Sequence, residues 1–354
     1  MEPMCCNKKT AMKTRSKIAL CIILMFFLSV SAVIVFSLST KTPQRVVHTP
    51  ASSPRSIMLG MWTQGFFDAQ TKTLHPKKLE ELETQIDKKV SIAHYYRGWE
   101  SLSDPTLLQE FSVIRTHGWT PMLNVNPYFF SKCPPTALPL YQAIAHGDCD
   151  SFLKKAAANL AHNSQPVYLL FAWEMTNKEL PWSIKYSGST AEDFVMAWRH
   201  MHTIFTAGKV KNVLWVFCPN ITDSTSIAYK DIYPGDAFVD WVGLDGYNYG
   251  TTQSWSQWSS FRGTFTSSYH ELTTVAPNKP LMIAEVNTTD KGGDKAQWYK
   301  DMLLEELPDT FPHIKAVVFF NEDKTATEGV NWKIDVSNSS LQGFTEGIRS
   351  PLYK

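Results

Sequence analysis

Eight apolar runs recur along the chain, at Ile57–Trp62, Ser91–Tyr96, Pro121–Val125, Val167–Trp173, Val213–Cys218, Phe238–Leu244, Leu281–Val286 and Ile314–Phe320. They are continuous rather than alternating, the pattern of parallel strands buried on both faces. Between most of them the period changes to that of an amphipathic helix, over 76–89, 104–118, 150–163 and 191–208. The last of these is the longest, with Glu192 and Asp193 in its first turn and Gly208 at its end. Further helices are expected near 255–276 and 294–306. Repeated strand–helix units of this number predict an α/β fold, a (β/α)8 TIM barrel over residues 57–354. A doubly wound open sheet is the competing arrangement. Its glycine-rich first turn is not matched by IMLGMWTQGFF at 57–67.

The N-terminus has a different pattern. Lys8, Lys9, Lys13, Arg15 and Lys17 precede an uncharged apolar run from Ile18 to Leu38. As a helix this run covers about 30 Å, the thickness of a bilayer core. The expectation is a basic cytoplasmic tail (1–17), a transmembrane signal anchor (18–38) and a flexible linker (39–56), with the barrel outside the cytoplasmic membrane. The linker, STKTPQRVVHTPASSPRS, is rich in Pro, Ser and Thr. A cleaved signal peptide, with small residues at Ser29–Ala32, is the alternative and would release the barrel. The run exceeds the usual apolar core of such peptides, roughly 7–15 residues, which favours the anchor.

Composition narrows the function. With 44% hydrophobic and 13% aromatic residues in 354, a large core is available. A net charge of +1, with no basic stripe, zinc-finger spacing or phosphate loop, excludes a nucleic-acid partner. The six cysteines do not form a disulfide scaffold. Cys133 and Cys149 flank one loop and can pair in an oxidising compartment; Cys218 reads as a buried thiol. Sequons begin at Asn220, Asn287 and Asn338.

In such a barrel the active site lies at the C-terminal ends of the strands. Read in order, those ends carry Trp62; Tyr96 with Arg97 and Trp99; Asn126; Glu174; Asn220; Asp245 with Tyr247; Glu285; and Asn321 with Glu322. His94 is the main histidine near a strand end, so no multi-histidine metal site is expected and no cofactor is required. Glu174 and Glu285, after strands four and seven, are the carboxylate pair that glycoside hydrolysis needs, one protonated and one ionised. Burial beside Trp173 and Trp182 should raise the acid's pKa, and a hydrogen bond from Tyr247 should favour the charged nucleophile. Trp62, Trp99, Trp182 and Trp332 are candidate sugar platforms. Glu322, Asp323 and Lys324 read as a solvated loop.

Several segments resemble glycoside hydrolase family 26, the mannanase and lichenase-type retaining β-glycanases of the family-A clan. They are WEMTNKELPWS at 173–183, AWRHMHTIFTAGKVKNVLWVFCPN at 197–220, YPGDAFVDWVGLDGYNYG at 233–250, and KPLMIAEVNTT with KGGDKAQWY at 279–299. The resemblance implies a retaining hydrolase of a β-linked polysaccharide or oligosaccharide, of mannan or β-glucan type. Glu174 would be its acid/base and Glu285 its nucleophile. It implies that Tyr247 bonds the nucleophile and that Trp182 lies by the sugar. Trp173, Asp245, Asn126, Tyr96 and Trp62 complete the expected substrate-binding set. The family's His before the acid/base is here Trp173, and Thr176, Asn177 and Glu179 also depart from its pattern. Those departures keep open a glycan-binding pseudoenzyme. A transglycosylase serving polysaccharide synthesis or export needs the same covalent intermediate. The catalytic domain is expected to be monomeric.

Overall fold

Each of the eight apolar runs forms a strand of one closed parallel barrel in the computed structural model, which describes residues 55–127, 138–222 and 227–354. The strands are β1 Met58–Thr63, β2 Ile92–Gly98, β3 Thr120–Asn126, β4 Val167–Phe171, β5 Val213–Phe217, β6 Trp241–Asn248, β7 Leu281–Thr288 and β8 Ile314–Asn321. Each pairs with its neighbours in sequence, and β8 closes on β1 from Met58↔Ala316 to Thr63↔Asn321. A parallel sheet with helices outside and side chains inside has no wet face, which is why the strands carry unbroken apolar runs.

The expected helices form at Pro76–Ile86, Thr106–Thr116, Asp150–Leu160, Ala191–Ala207 and Phe261–Val275, and in a helical segment that opens with Lys295–Lys300. Thr190 caps the longest of them, its hydroxyl accepting from Asp193 N while the Asp193 carboxylate accepts from Thr190 N. Arg55 ties the start of the barrel to its base, donating to the carbonyls of Pro308 at 2.6 Å and Phe311 at 2.6 Å.

Two features at the barrel mouth were not expected from the pattern. β4 ends at Phe171, two residues before the apolar run does. Small hairpins, Phe67–Asp68 with Thr73–Leu74 and Asp323–Lys324 with Val330–Asn331, extend from the loops after β1 and β8.

The expected tail, anchor and most of the linker fall in residues 1–54, outside those described. Among the described residues no helix is long and apolar enough to cross a membrane. Cys149 is buried and disulfide-bonded, and its expected partner Cys133 lies outside the described residues. Cys218 is a free buried thiol. Of the sequon asparagines, Asn287 is fully buried and donates to the carbonyls of Phe320 and Trp332, so it is closed to modification. Asn338 stands exposed at the start of a helix.

Candidate active site

The two carboxylates depend on two local distortions. At the end of β4, Ala172 (φ 51°) and Glu174 (φ 53°) both adopt the left-handed conformation, on either side of Trp173. Non-glycine residues take this conformation at a cost, and neighbouring contacts must hold them there. Here Ala172 N donates to Val125 O at 2.9 Å on β3, and Glu174 N donates to Cys218 O at 2.8 Å beyond β5. The kinked chain thus directs Trp173 and Glu174 into the mouth rather than leaving them in strand alternation. The second distortion precedes Glu285. Leu244 pairs with Ile283 but Asp245 with Glu285, and two residues of β8 face three of β7 over the same stretch. An extra residue at Ala284–Glu285 re-aims the following side chain, a common use of bulges beside active sites.

The result is a cleft of about 850 Å³ at the C-terminal ends of the strands, with both Glu174 and Glu285 in its wall. One oxygen each from Glu174, Glu285 and Asp245 lie within 4.8 Å of one another. Three donors converge on Glu285. Tyr96 Oη reaches Oε1 at 2.6 Å, Asn124 Nδ2 reaches Oε1 at 3.0 Å, and Tyr247 Oη reaches Oε2 at 2.6 Å. Among the described residues Glu174 receives one side-chain bond, from Asn177 Nδ2 at 2.7 Å. Three carboxylates so close could also bracket a cation. However, both oxygens of Glu285 already face N–H or O–H hydrogens, where a cation would be repelled. The set fits a shared proton better than a metal.

Burial raises the pKa of all three acids, since each loses hydration in its charged form. Glu285 is pushed up to about 7, first by burial and then by the charge of Glu174. Its two phenol bonds act in the expected direction, favouring the charged form, but do not cancel the effect of burial. Glu174 is raised by burial, against the bond from Asn177 and the positive charge of Lys324. Asp245 is pushed far above the usual carboxylate range by burial and the neighbouring acids. Hydrogen-bond donors stabilise a charged carboxylate, and Glu285 has three of them. Those donors favour charge on Glu285, while burial and the charge of Glu174 act against it. Behind them His94 is fully buried, pushed down to about 3 and hence neutral, with Nε2 3.9 Å from Glu285.

Most of the expected site residues meet in this cleft. Trp62, Tyr96, Asn126, Trp173, Trp182 and Tyr247 all line it with the two acids. Trp173 packs on Trp182 at 4.6 Å and on Tyr96 at 5.4 Å, and Trp182 donates to the Trp173 carbonyl at 2.8 Å. Other expectations are corrected. Asp245 is fully buried behind the pair, bonded by the Cys218 thiol at 3.3 Å, and is closed to a sugar. Trp99 has no exposed surface and packs on Phe152 and Phe171, so it is core and not a platform. Arg97 turns outward to Glu110. Asn321 bonds Thr63 and the backbone of Ile334. Glu322 and Lys324 are not simply solvated: both line the cleft, where Glu322 accepts from the Trp62 indole at 2.9 Å.

Other residues of the site were not anticipated. His94 and Asn124 lie two positions before Tyr96 and Asn126, so strand alternation already put them on the inward face. Phe320 lines the cleft from β8, whereas Tyr249, Gln253, Thr327 and Glu328 line it from the segments after β6 and β8 and left no comparable signal.

A parallel barrel with a half-buried and a buried glutamate facing each other across its mouth belongs to the α/β barrels built for acid–base chemistry at a polar cleft. Within that class the chain carries a domain of glycosyl hydrolase family 26, whose model matches residues 144–301. The chain is 31% identical over 279 residues to endoglucanase H of Acetivibrio thermocellus, a match covering 77% of this chain and 28% of that enzyme. It thus spans under a third of the length of that relative. Among solved structures, a β-mannanase from Bacteroides ovatus superposes with a TM-score of 0.58 at 16% identity, over 85% of this chain and 90% of that one. An endo-β-1,4-mannanase from Cellulomonas fimi gives 0.63 at 15% identity, over 84% and 72%. At such identities these likenesses speak to the fold alone.

Proposed function

We propose that the chain is a retaining glycoside hydrolase that cleaves a β-linked polysaccharide or oligosaccharide of mannan or β-glucan type. The observation that carries this reading is the approach of Glu174 and Glu285 to within 4.8 Å, with three donors gathered on Glu285 alone. That approach suits the carboxyl separation of retaining enzymes, about 5–5.5 Å, and leaves no room for the intervening water of inverting ones. Glu285, ionised and held by Tyr96, Asn124 and Tyr247, attacks the anomeric carbon. Glu174 gives its proton to the departing glycosidic oxygen. The glycosyl ester on Glu285 is then opened by water, whose proton returns to Glu174 as the hydroxyl adds to the sugar and the Glu285 carboxylate leaves. The aromatic walls around Trp62, Trp173, Trp182 and Trp332 suit the apolar faces of pyranose rings.

We also propose that the basic tail and apolar run of residues 1–38 anchor the barrel outside the cytoplasmic membrane, with the polysaccharide as its partner. The test of the activity is hydrolysis of a panel of β-glycans by the wild type, Glu174→Gln and Glu285→Gln, with mass spectrometry after an activated fluoroglycoside. Turnover lost in Glu285→Gln, and a glycosyl adduct on Glu285 in the wild type, are expected. Hydrolysis that survives both substitutions unchanged defeats the assignment. Binding without turnover or adduct would make the barrel a glycan-binding pseudoenzyme.

A further inference from the structure

Trp255 is 72% exposed, the most exposed of the large apolar side chains among the described residues. A single exposed aromatic is ordinary in itself. Its surroundings are not. The Trp255 ring lies 5.0 Å from Tyr249, which lines the cleft; Tyr249 meets Trp332 at 4.9 Å, and Trp332 meets Tyr247 at 4.8 Å. Tyr247 in turn bonds Glu285. A run of aromatic contacts therefore leads from the candidate nucleophile out to an indole that faces solvent.

The loop bearing Trp255 is also tightly held. Gly250 N and Ser259 N both donate to Asn248 Oδ1, at 3.1 and 3.0 Å, and Thr251 N donates to Lys291 O at 3.2 Å. Ser256 Oγ donates to Gly250 O at 2.8 Å, and Gln253 Nε2 crosses to Glu328 O at 2.9 Å. Gly250 has φ 51°, and a Cβ there would lie 1.9 Å from Lys291 O. The loop thus approaches its neighbour more closely than any other residue allows. So many bonds hold the indole in water when a looser loop could fold it away. An aromatic face fixed in advance loses little entropy when a ligand covers it.

We propose that Trp255 is the platform of an outer glycan subsite. It stacks on the pyranose face of a sugar in the same chain that threads the cleft, beyond the units flanking the cleaved bond. This rests on the reading of the cleft as a glycan site, and it implies a preference for long chains.

The test uses the full-length chain, Trp255→Ala and Trp255→Phe. Two readouts are taken: kcat/KM on trisaccharides against hexasaccharides of β-mannan and mixed-linkage β-glucan, and retardation in gels containing the polymers. Retardation is repeated with Glu285→Gln in each background. Trp255→Ala is expected to lower the hexasaccharide-to-trisaccharide ratio about tenfold and to weaken retardation, with Trp255→Phe recovering most of both. An unchanged ratio and unchanged retardation overturn the subsite, even if hydrolysis is confirmed. Retardation that depends on Trp255 without any hydrolysis keeps the subsite and defeats the catalytic reading. A wild type that neither hydrolyses nor is retarded defeats both.

Discussion

At the scale of single residues, the site separates two chemically identical side chains by their partners. Among the described residues Glu285 receives three donors and Glu174 one. Replacing Glu174 with Gln removes the proposed proton donor without changing the size of the side chain. kcat should fall by about 10²–10⁴-fold on natural glycans. The loss should be much smaller on aryl glycosides whose leaving group needs no proton, and steady-state assays on both substrates check this. The proposed mechanism also requires Glu285 to be ionised, so the acidic limb of the pH profile should follow its pKa. The bonds from Tyr247 and Tyr96 lower that pKa against burial. Tyr247→Phe should raise it and move the acidic limb of kcat/KM to higher pH; a limb that stays in place would show that the phenol only packs. Trp173 sits between the left-handed Ala172 and Glu174 and packs on Trp182 and Tyr96. It is part of a fixed aromatic wall, which explains how this chain accommodates it where relatives of the resembling family have His.

At the scale of elements, the strand pattern was legible because parallel barrel strands have no polar face to interrupt it. The last helix, Asn338–Ile348, was not legible. Its segment, NSSLQGFTEGI, carries Gly343 and Gly347, and glycine lowers helix propensity by about 1 kcal/mol each. The structure gives the reason for them. A Cβ on Gly343 would lie 2.4 Å from the Ala296 carbonyl, and one on Gly347 would lie 2.5 Å from Leu303 Cδ1. The glycines let this helix lie directly against the segment after β7. Ser337 caps it, accepting from Ser340 N. Gly347→Val should therefore destabilise the fold by about 1–3 kcal/mol through overpacking, despite its better local propensity. Thermal unfolding would show the drop, and an unchanged melting temperature would mean that the helices can part freely. The strand-four end was misjudged for a related reason. Its apolar run continues to Trp173, but the chain leaves the sheet at Phe171, because bonds from β3 and the segment after β5 turn it.

At the scale of the whole molecule, the cleft lowers stability in a pH-dependent way. A carboxyl whose pKa is raised by folding keeps its proton after the unfolded chain has released it. Stability from such a group is fully present below the unfolded pKa and is lost as pH rises toward the folded one. For Glu285 that window runs from 4.5 to about 7. The loss across it is roughly 3 kcal/mol at most. Urea unfolding at both ends of the window should show a steeper decline for the wild type than for Glu285→Gln; equal slopes would contradict the raised pKa. Asp245, raised by burial in the same direction, adds to the decline in both proteins. The sequence alone determined the barrel and the two glutamates at its mouth, because those follow from short-range periodicity and from the rule that sites gather at the C-terminal ends of barrel strands. Only the tertiary structure decided which neighbours face those glutamates. It placed Asp245 behind the cleft, Trp99 in the core, Lys324 and Glu328 on the rim and Trp255 on a stiff loop outside. Loop side chains are placed by contacts between segments distant in sequence, and those contacts leave no period along the chain to read.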